Sequence, residues 1–217
     1  MRYDLIIFDM DGTILDTLED LKESVNYALR HAGYPERTLD EVRGFVGNGI
    51  RNLIIRSVPC GTAEQQIEDV HGYFTEHYTV HCSDHTKPYK GIPELLVNLR
   101  RAGCKTAVVS NKADYAVQAL CRQYFENQFD MAAGEQMPHY QKKPAPDLVN
   151  LIREKLDVSC SRAVYIGDSD VDIETAHNAQ MDCITVDWGF RDRDFLISHG
   201  AEVIVSDAEE LERILLD

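Results

Sequence analysis

Positive charge is scarce in this chain: 22 Lys and Arg face 37 Asp and Glu over 217 residues, a formal net charge of -15. That balance argues against nucleic acid and anionic membrane surfaces as partners, because both need clustered Lys and Arg to meet phosphates. It leaves room for a small anionic substrate, since a few lysines, a helix N-terminus and a divalent cation make one electropositive pocket in an acidic protein. Long apolar runs are missing too. The first, Leu5-Ile6-Ile7-Phe8, is too short for the apolar core of a signal peptide, and no later run approaches a membrane span, so a cytoplasmic location is expected. The six cysteines (Cys60, Cys82, Cys104, Cys121, Cys160, Cys183) show no C-x-x-C spacing, and a chain of this length has enough core to stand without disulfides, so reduced structural thiols are expected. Internal repeats and low-complexity segments are absent.

What is present is an alternation. Ile92, Leu95, Leu96 and Leu99 have helical spacing and stop at Gly103, and Thr106 to Val109 read as a strand. A helix from Asp114 to Tyr124 follows, then a short strand near Phe129 to Ala132 and a helix opened by Pro146 that runs to Leu156. A strand over 163–166, a helix over 171–179, a strand over 183–186 and a helix from Ala208 complete the series. Strands alternating with helices predict an α/β fold with a doubly wound parallel sheet, Rossmann-like in form. Residues 16–82 do not alternate. Thr17-Leu18-Glu19-Asp20 reads as a helix start before an apolar stripe at Leu18, Leu21, Val25 and Leu29. Thr62-Ala63-Glu64-Gln65 has capping-box spacing before Ile67, Val70, Phe74 and Tyr78, with two shorter helices between, broken at Gly47-Asn48-Gly49 and Pro59-Cys60-Gly61. The expected organisation is a core domain of residues 1–15 and 83–217 and an inserted all-helical domain of residues 16–82, able to rock as a lid on its two linkers.

The chemistry gathers behind the apolar runs, where an open α/β sheet places its ligands. Asp9-Met10-Asp11-Gly12-Thr13 ends the first strand, and like charges so close are costly unless a cation or a shared proton offsets them. Asp9 is the candidate nucleophile toward phosphorus, Asp11 the candidate acid and base, and Gly12 allows the turn that brings backbone amides near a phosphate. Ser110 and the amides after it, Asn111 first, are expected at a helix start as an anion site; a helix cap is the plainer role for that serine. Lys143, ahead of Pro144 and Pro146, would offset charge on a phosphoryl group. Asp168-Ser169-Asp170-Val171-Asp172 supplies carboxylates suited to Mg2+. An EF-hand is excluded there, because Ile173 stands where the turn glycine belongs and Ala179 where the bidentate Glu belongs. His77 and His81 share a helix face without a third ligand and read as solvated, and Met131, Met137 and Met181 read as core or loop filler.

These motifs, in this order, resemble those of the haloacid dehalogenase superfamily, specifically its phosphatases with a helical cap inserted after motif one. D-x-D-G-T corresponds to Asp9 to Thr13, the motif-two serine to Ser110, the lysine of K-P-x-P to Lys143, and G-D-x-x-x-D to Gly167, Asp168 and Asp172. The resemblance implies Mg2+-dependent phosphotransfer through an aspartyl phosphate, with the metal held by the Asp9 carboxylate, the Asp11 carbonyl and Asp168, and with Asp172 in close support. It implies phosphate binding by Thr13, Ser110 and Asn111. Phe45-Val46-Gly47-Asn48-Gly49-Ile50-Arg51 resembles the cap segment that faces substrate in phosphoglycolate phosphatases, which makes Gly47, Asn48, Gly49 and Arg51 substrate candidates and phosphoglycolate the leading substrate. Trp188-Gly189-Phe190 has the look of that group as well. The expected partner is a small phosphorylated metabolite and the expected state a monomer or homodimer. Two alternatives remain: a phosphosugar mutase of beta-phosphoglucomutase type, against which Thr13 leans, and a phospho-accepting receiver domain, which needs no helical insert.

Overall fold

The computed structural model describes residues 2–47, 49–136 and 138–217. Asn48, a substrate candidate, and Met137, read as filler, lie outside the described residues. The chain divides into two compact units, one of residues 1–15 and 88–217, the other of residues 16–87.

The first unit is built on β1 (Leu5–Phe8), four apolar residues with no exposure at all. A strand with no polar face must be covered on both sides, which parallel sheets achieve with crossover helices. The chain crosses to the second unit at β2 (Leu15–Asp16) and returns at β3 (Lys87–Pro88), two short strands that form a sheet of their own. Four helices lie between them: α1 (Leu18–His31), α2 (Leu39–Phe45), α3 (Ile50–Ser57) and α4 (Glu64–His81). There follow α5 (Ile92–Arg101), β4 (Lys105–Ala113), α6 (Asp114–Tyr124), β5 (Met131–Glu135), α7 (Asp147–Lys155), β6 (Ala163–Gly167) and α8 (Asp170–Asn178). β7 (Asp182–Val186), α9 (Arg193–Ser198), β8 (Ile204–Val205) and α10 (Ala208–Leu216) close the chain.

The six-stranded sheet has the order β5-β4-β1-β6-β7-β8, and each pairing is parallel. Connections run one way from β1 to β4 and β5, then the other way to β6, β7 and β8, so the order reverses at β1. The crevice beyond the carboxyl ends of the strands at such a reversal is where ligands bind. Side chains alternate across the sheet with a period of two. Ile6, Phe8 and Val108 pack with Leu95, Leu99 and Leu211 on one face. Leu5, Ile7, Val109 and Tyr165 pack with Val149 and Ile152 on the other.

The second unit is held by α1 against α4, with Leu21, Val25 and Leu29 facing a stripe of Val70, Phe74 and Tyr78. Thr38 and Glu41 cap α2 reciprocally. At α4 the expected cap shifts by one residue: Ala63 is the N-cap, its amide donates to Gln66, and the Thr62 hydroxyl turns back to the Pro59 carbonyl. The last residues of the unit are tied to its first helix by a buried carboxylate. Asp20 accepts from the amides of His85 and Thr86 at 2.9 and 2.8 Å and from the Thr86 hydroxyl at 2.7 Å. No helix among the described residues is long and apolar enough to cross a membrane.

Removing that carboxylate strands two amide donors. Asp20→Ala is expected to destabilise the second unit by ~2–4 kcal/mol, seen as an earlier loss of helical signal in a urea titration. An unchanged midpoint would show that the Asp20 bonds do not hold the unit together.

Candidate active site

The strand register explains why residues distant in sequence meet. Phe8 pairs with Val108 on one side and Ile166 on the other. Asp9 and Asp168, just past the ends of β1 and β6, and Ser110 on β4 therefore share one edge of the sheet, and the Asp9 amide still donates to the Ile166 carbonyl at 2.8 Å. Carboxylate oxygens of Asp9, Asp168 and Asp172, all buried, lie within 4.8 Å of one another.

A single ammonium sits among them. Lys143 Nζ is 2.8 Å from Asp9 Oδ1 and 2.7 Å from Asp172 Oδ1, with its side chain only 4% exposed. The contact with Asp9 is one of charge, since Oδ1 receives no aligned hydrogen bond. Lys143 also donates to the Tyr165 hydroxyl at 3.0 Å, which in turn donates to the Val109 carbonyl. Asn111 places this lysine: its amide donates to the Lys143 carbonyl at 3.0 Å and accepts from the Lys143 amide at 2.8 Å. Asn111 thus spends its side chain on the lysine loop. Burial opposes the charge on Lys143, but Asp172, Asp9 and Tyr165 outweigh it and hold the ammonium well above its ordinary range.

Asp168 is fixed from both sides, by the Thr13 hydroxyl at 3.1 Å on Oδ1 and the Phe190 amide at 2.7 Å on Oδ2. Thr13 reaches this carboxylate, and its own carbonyl accepts from the Trp188 indole at 3.1 Å. Space around Asp168 is closed by glycines. A Cβ at Gly12, where φ is +86°, would lie 2.3 Å from Asp168 Oδ2, and one at Gly189 would lie 2.4 Å from the same atom. Asp172, fully buried near the start of α8, accepts on Oδ2 from the amides of Asp168 and Ser169 and from the Ser169 hydroxyl. With Lys143 on its other oxygen, Asp172 serves as the anchor of the cluster.

Three carboxylates against one ammonium leave two negative charges uncompensated when all are ionised. Burial pushes Asp9 up to about 7, the Lys143 charge pulling against it and Asp172 and Asp11 adding to it. Burial, with Asp172 and Asp9 beside it, lifts Asp168 well above the usual carboxylate range. A hard divalent cation with oxygen ligands would offset both effects, and the buried carboxylates of Asp9, Asp168 and Asp172 are a donor set that fits an ion such as Mg2+.

One sequence expectation is corrected. Ser110 neither caps a helix nor begins one: β4 continues to Ala113 and α6 starts at Asp114, so the helix dipole does not act at Ser110. The strand persists because its polar end is bonded in place. The Ser110 hydroxyl accepts from the Lys112 amide at 3.3 Å, and Asn111 is clamped to Lys143. The strand shifts register between Val109 and Ala113. Sequence reasoning also passed over Lys112, whose Nζ lies 2.8 Å from Asp11 Oδ1, and the Phe190 amide. The period-two alternation from Ser110 pointed to Lys112; a backbone donor such as Phe190 leaves no side-chain signal. In the second unit, Arg51 pairs with Glu64, and with Glu68 at 3.0 Å, while the Gly47 carbonyl lies 3.4 Å from the Arg56 guanidinium. Gly49, with φ +89°, is the N-cap of α3.

A sequence profile for haloacid dehalogenase-like hydrolases matches residues 6–186. N-acetylmuramic acid 6-phosphate phosphatase of Pseudomonas aeruginosa is 31% identical, over 99% of this chain and 96% of that one. Phosphoglycolate phosphatase of Mesorhizobium japonicum is 32% identical, over 98% of each. The crystal structure of a provisionally assigned phosphoglycolate phosphatase from Lactobacillus delbrueckii subsp. bulgaricus superposes with a TM-score of 0.95 at 40% identity, over 100% of this chain and 99% of that one. With its parallel sheet reversing at β1 and acidic residues at that edge, the chain belongs to the haloacid dehalogenase-like hydrolases, as a phosphatase of that family.

A cation held by Asp9 and Asp168 would compete with protons for the same oxygens, so its affinity is expected to rise with pH. Calorimetry is expected to find Mg2+ bound at least about tenfold tighter at pH 8 than at pH 6, the effect of displacing one proton from a group titrating at about 7. Equal affinity at both pH values would remove these carboxylates as ligands.

Proposed function

We propose that the protein is a Mg2+-dependent phosphomonoester hydrolase that works through an aspartyl phosphate on Asp9, with phosphoglycolate its first candidate substrate. The observation that carries this reading is the Asp9 carboxylate beside the Lys143 ammonium, 2.8 Å away at a strand end where ligands bind. An Asp9 oxygen attacks phosphorus and the ester P–O bond breaks, while the Asp11 carboxyl gives its proton to the departing oxygen. Water then attacks the acyl phosphate, Asp11 takes a proton from it, and inorganic phosphate leaves with the Asp9 carboxylate restored. Lys143 supplies positive charge where the nonbridging oxygens gather it, and Ser110 completes the phosphate cradle, with Asn111 bracing the Lys143 loop and Thr13 bracing Asp168. Asp9, Asp168 and the Asp11 carbonyl would hold Mg2+, with Asp172 in support; the ion supplies charge that lets an anionic nucleophile approach an anionic phosphate.

The helical unit is the candidate cap and the source of substrate choice. Gly47 to Arg51 remain the segment proposed to meet the leaving group, and Asn48 belongs to it by sequence. Arg51 would exchange Glu64 and Glu68 for a substrate carboxylate, a small cost because exposed pairs are worth about 1 kcal/mol or less. A second reading is a phosphorylated sugar acid. The second unit holds a polar cavity of about 340 Å³ that Arg43, His85 and Lys87 line together with Asp16 and Glu19, roomy for a two-carbon acid. Both readings share one chemistry, a phosphate ester whose alcohol carries a carboxylate.

The test is kcat/KM for phosphoglycolate, N-acetylmuramic acid 6-phosphate and an aryl phosphate without a carboxylate, in wild type and Arg51→Ala. The carboxylate esters are expected to be preferred, and Arg51→Ala to cost them roughly tenfold, on the order of 1.4 kcal/mol, with the aryl ester little changed. Equal losses on all three would make Arg51 structural. No preference for a carboxylate ester in wild type would defeat both substrate assignments.

A further inference from the structure

Lys112 has no part in the chemistry above, yet its side chain is only 3% exposed and its Nζ lies 2.8 Å from Asp11 Oδ1. A lysine is almost never so buried unless paired. Its position on β4 is firmly set. The Lys112 amide donates to the Ser110 hydroxyl, its neighbour Asn111 is bonded twice to the Lys143 backbone, and its carbonyl lies against Gly134 of β5, where a Cβ would come within 2.5 Å. Asp11, by contrast, follows the end of β1, and its side chain is 18% exposed, the more open of the pair. A short carboxylate in that place would otherwise sample several rotamers.

We propose that Lys112 is a positioning residue that holds the Asp11 carboxylate where the ester oxygen departs and where water enters. The inference rests on Asp11 acting as acid and base. A proton donor contributes only when held within hydrogen-bond reach of the atom it serves, so a loose Asp11 would fail selectively on esters whose leaving group needs a proton.

The experiment compares kcat/KM for an alkyl phosphomonoester with that for an aryl phosphate of an acidic phenol, in Lys112→Met, Asp11→Asn and the double variant. The ratio kcat/KM covers the steps up to departure of the leaving group and excludes hydrolysis of the acyl phosphate, which both esters share. Lys112→Met is expected to lose roughly tenfold or more on the alkyl ester and about threefold or less on the aryl ester. Asp11→Asn should show the same selectivity, and the double variant should be little worse than Asp11→Asn alone. Lys112→Arg should recover part of the loss, and Lys112→Gln replaces Lys112→Met if the apolar side chain prevents folding. Equal losses on both esters in Lys112→Met, with Asp11→Asn still selective, would overturn the positioning role and leave the mechanism standing. A nonselective Asp11→Asn would remove the acid-base role of Asp11 and the inference with it.

Discussion

One ammonium shared between two carboxylates is the constraint on which the site depends. Lys143 lies 2.8 Å from Asp9 and 2.7 Å from Asp172, with its side chain almost wholly buried. Such a pair is weak evidence for stability, because the cost of desolvating the charges offsets most of their attraction. What it provides is placement. Asp172 saturates one end of the lysine and, through the Asp168 and Ser169 amides, the loop that carries Asp168. Asp9 is left with one oxygen, Oδ1, near positive charge and without an aligned donor.

The fold delivers these groups from separate directions. Asp9 leaves the central strand, Asp168 the neighbour on one side, and β4 on the other side carries Ser110, Asn111 and Lys112 in succession. Those three residues make three separate contacts. Ser110 receives the Lys112 amide, Asn111 fastens the Lys143 loop, and Lys112 reaches Asp11. Behind them, Gly12 and Gly189 leave no space between the Asp168 carboxylate and the backbone, and the Phe190 amide fixes its orientation. A site crowded with like charges is costly without a cation, so the proposed mechanism makes activity depend on metal and on pH together.

Much of this was legible in the sequence, for physical reasons that also explain what was not. The parallel sheet shows itself because strands buried on both faces read as continuous apolar runs, and the helices between them because their stripes repeat at helical spacing. β8, with two residues, and α9, with six, are too short to carry a period. β5 begins at Met131 and not near Phe129, because Phe129 turns into the core against Phe8 and Phe125 while small residues make the strand. The polar end of β4, Ser110-Asn111-Lys112, has no apolar alternation to mark it as strand; long-range bonds to Lys143 and Asp11 hold it extended. At the site, the acidic residues, Ser110 and Lys143 could be named from motif and spacing. The roles of Tyr165 and of the Phe190 amide could not, since one hides in an apolar strand and the other is backbone.

The claim at the centre is that Asp9 itself receives the phosphoryl group. Rapid mixing of the protein with a radiolabelled phosphomonoester in the presence of Mg2+, acid quenching and peptide mapping test it directly. The account predicts label on the peptide that contains Asp9, appearing before steady-state release of phosphate and discharged by further incubation. Release of phosphate with no label on the protein, or label on any other residue, would contradict it.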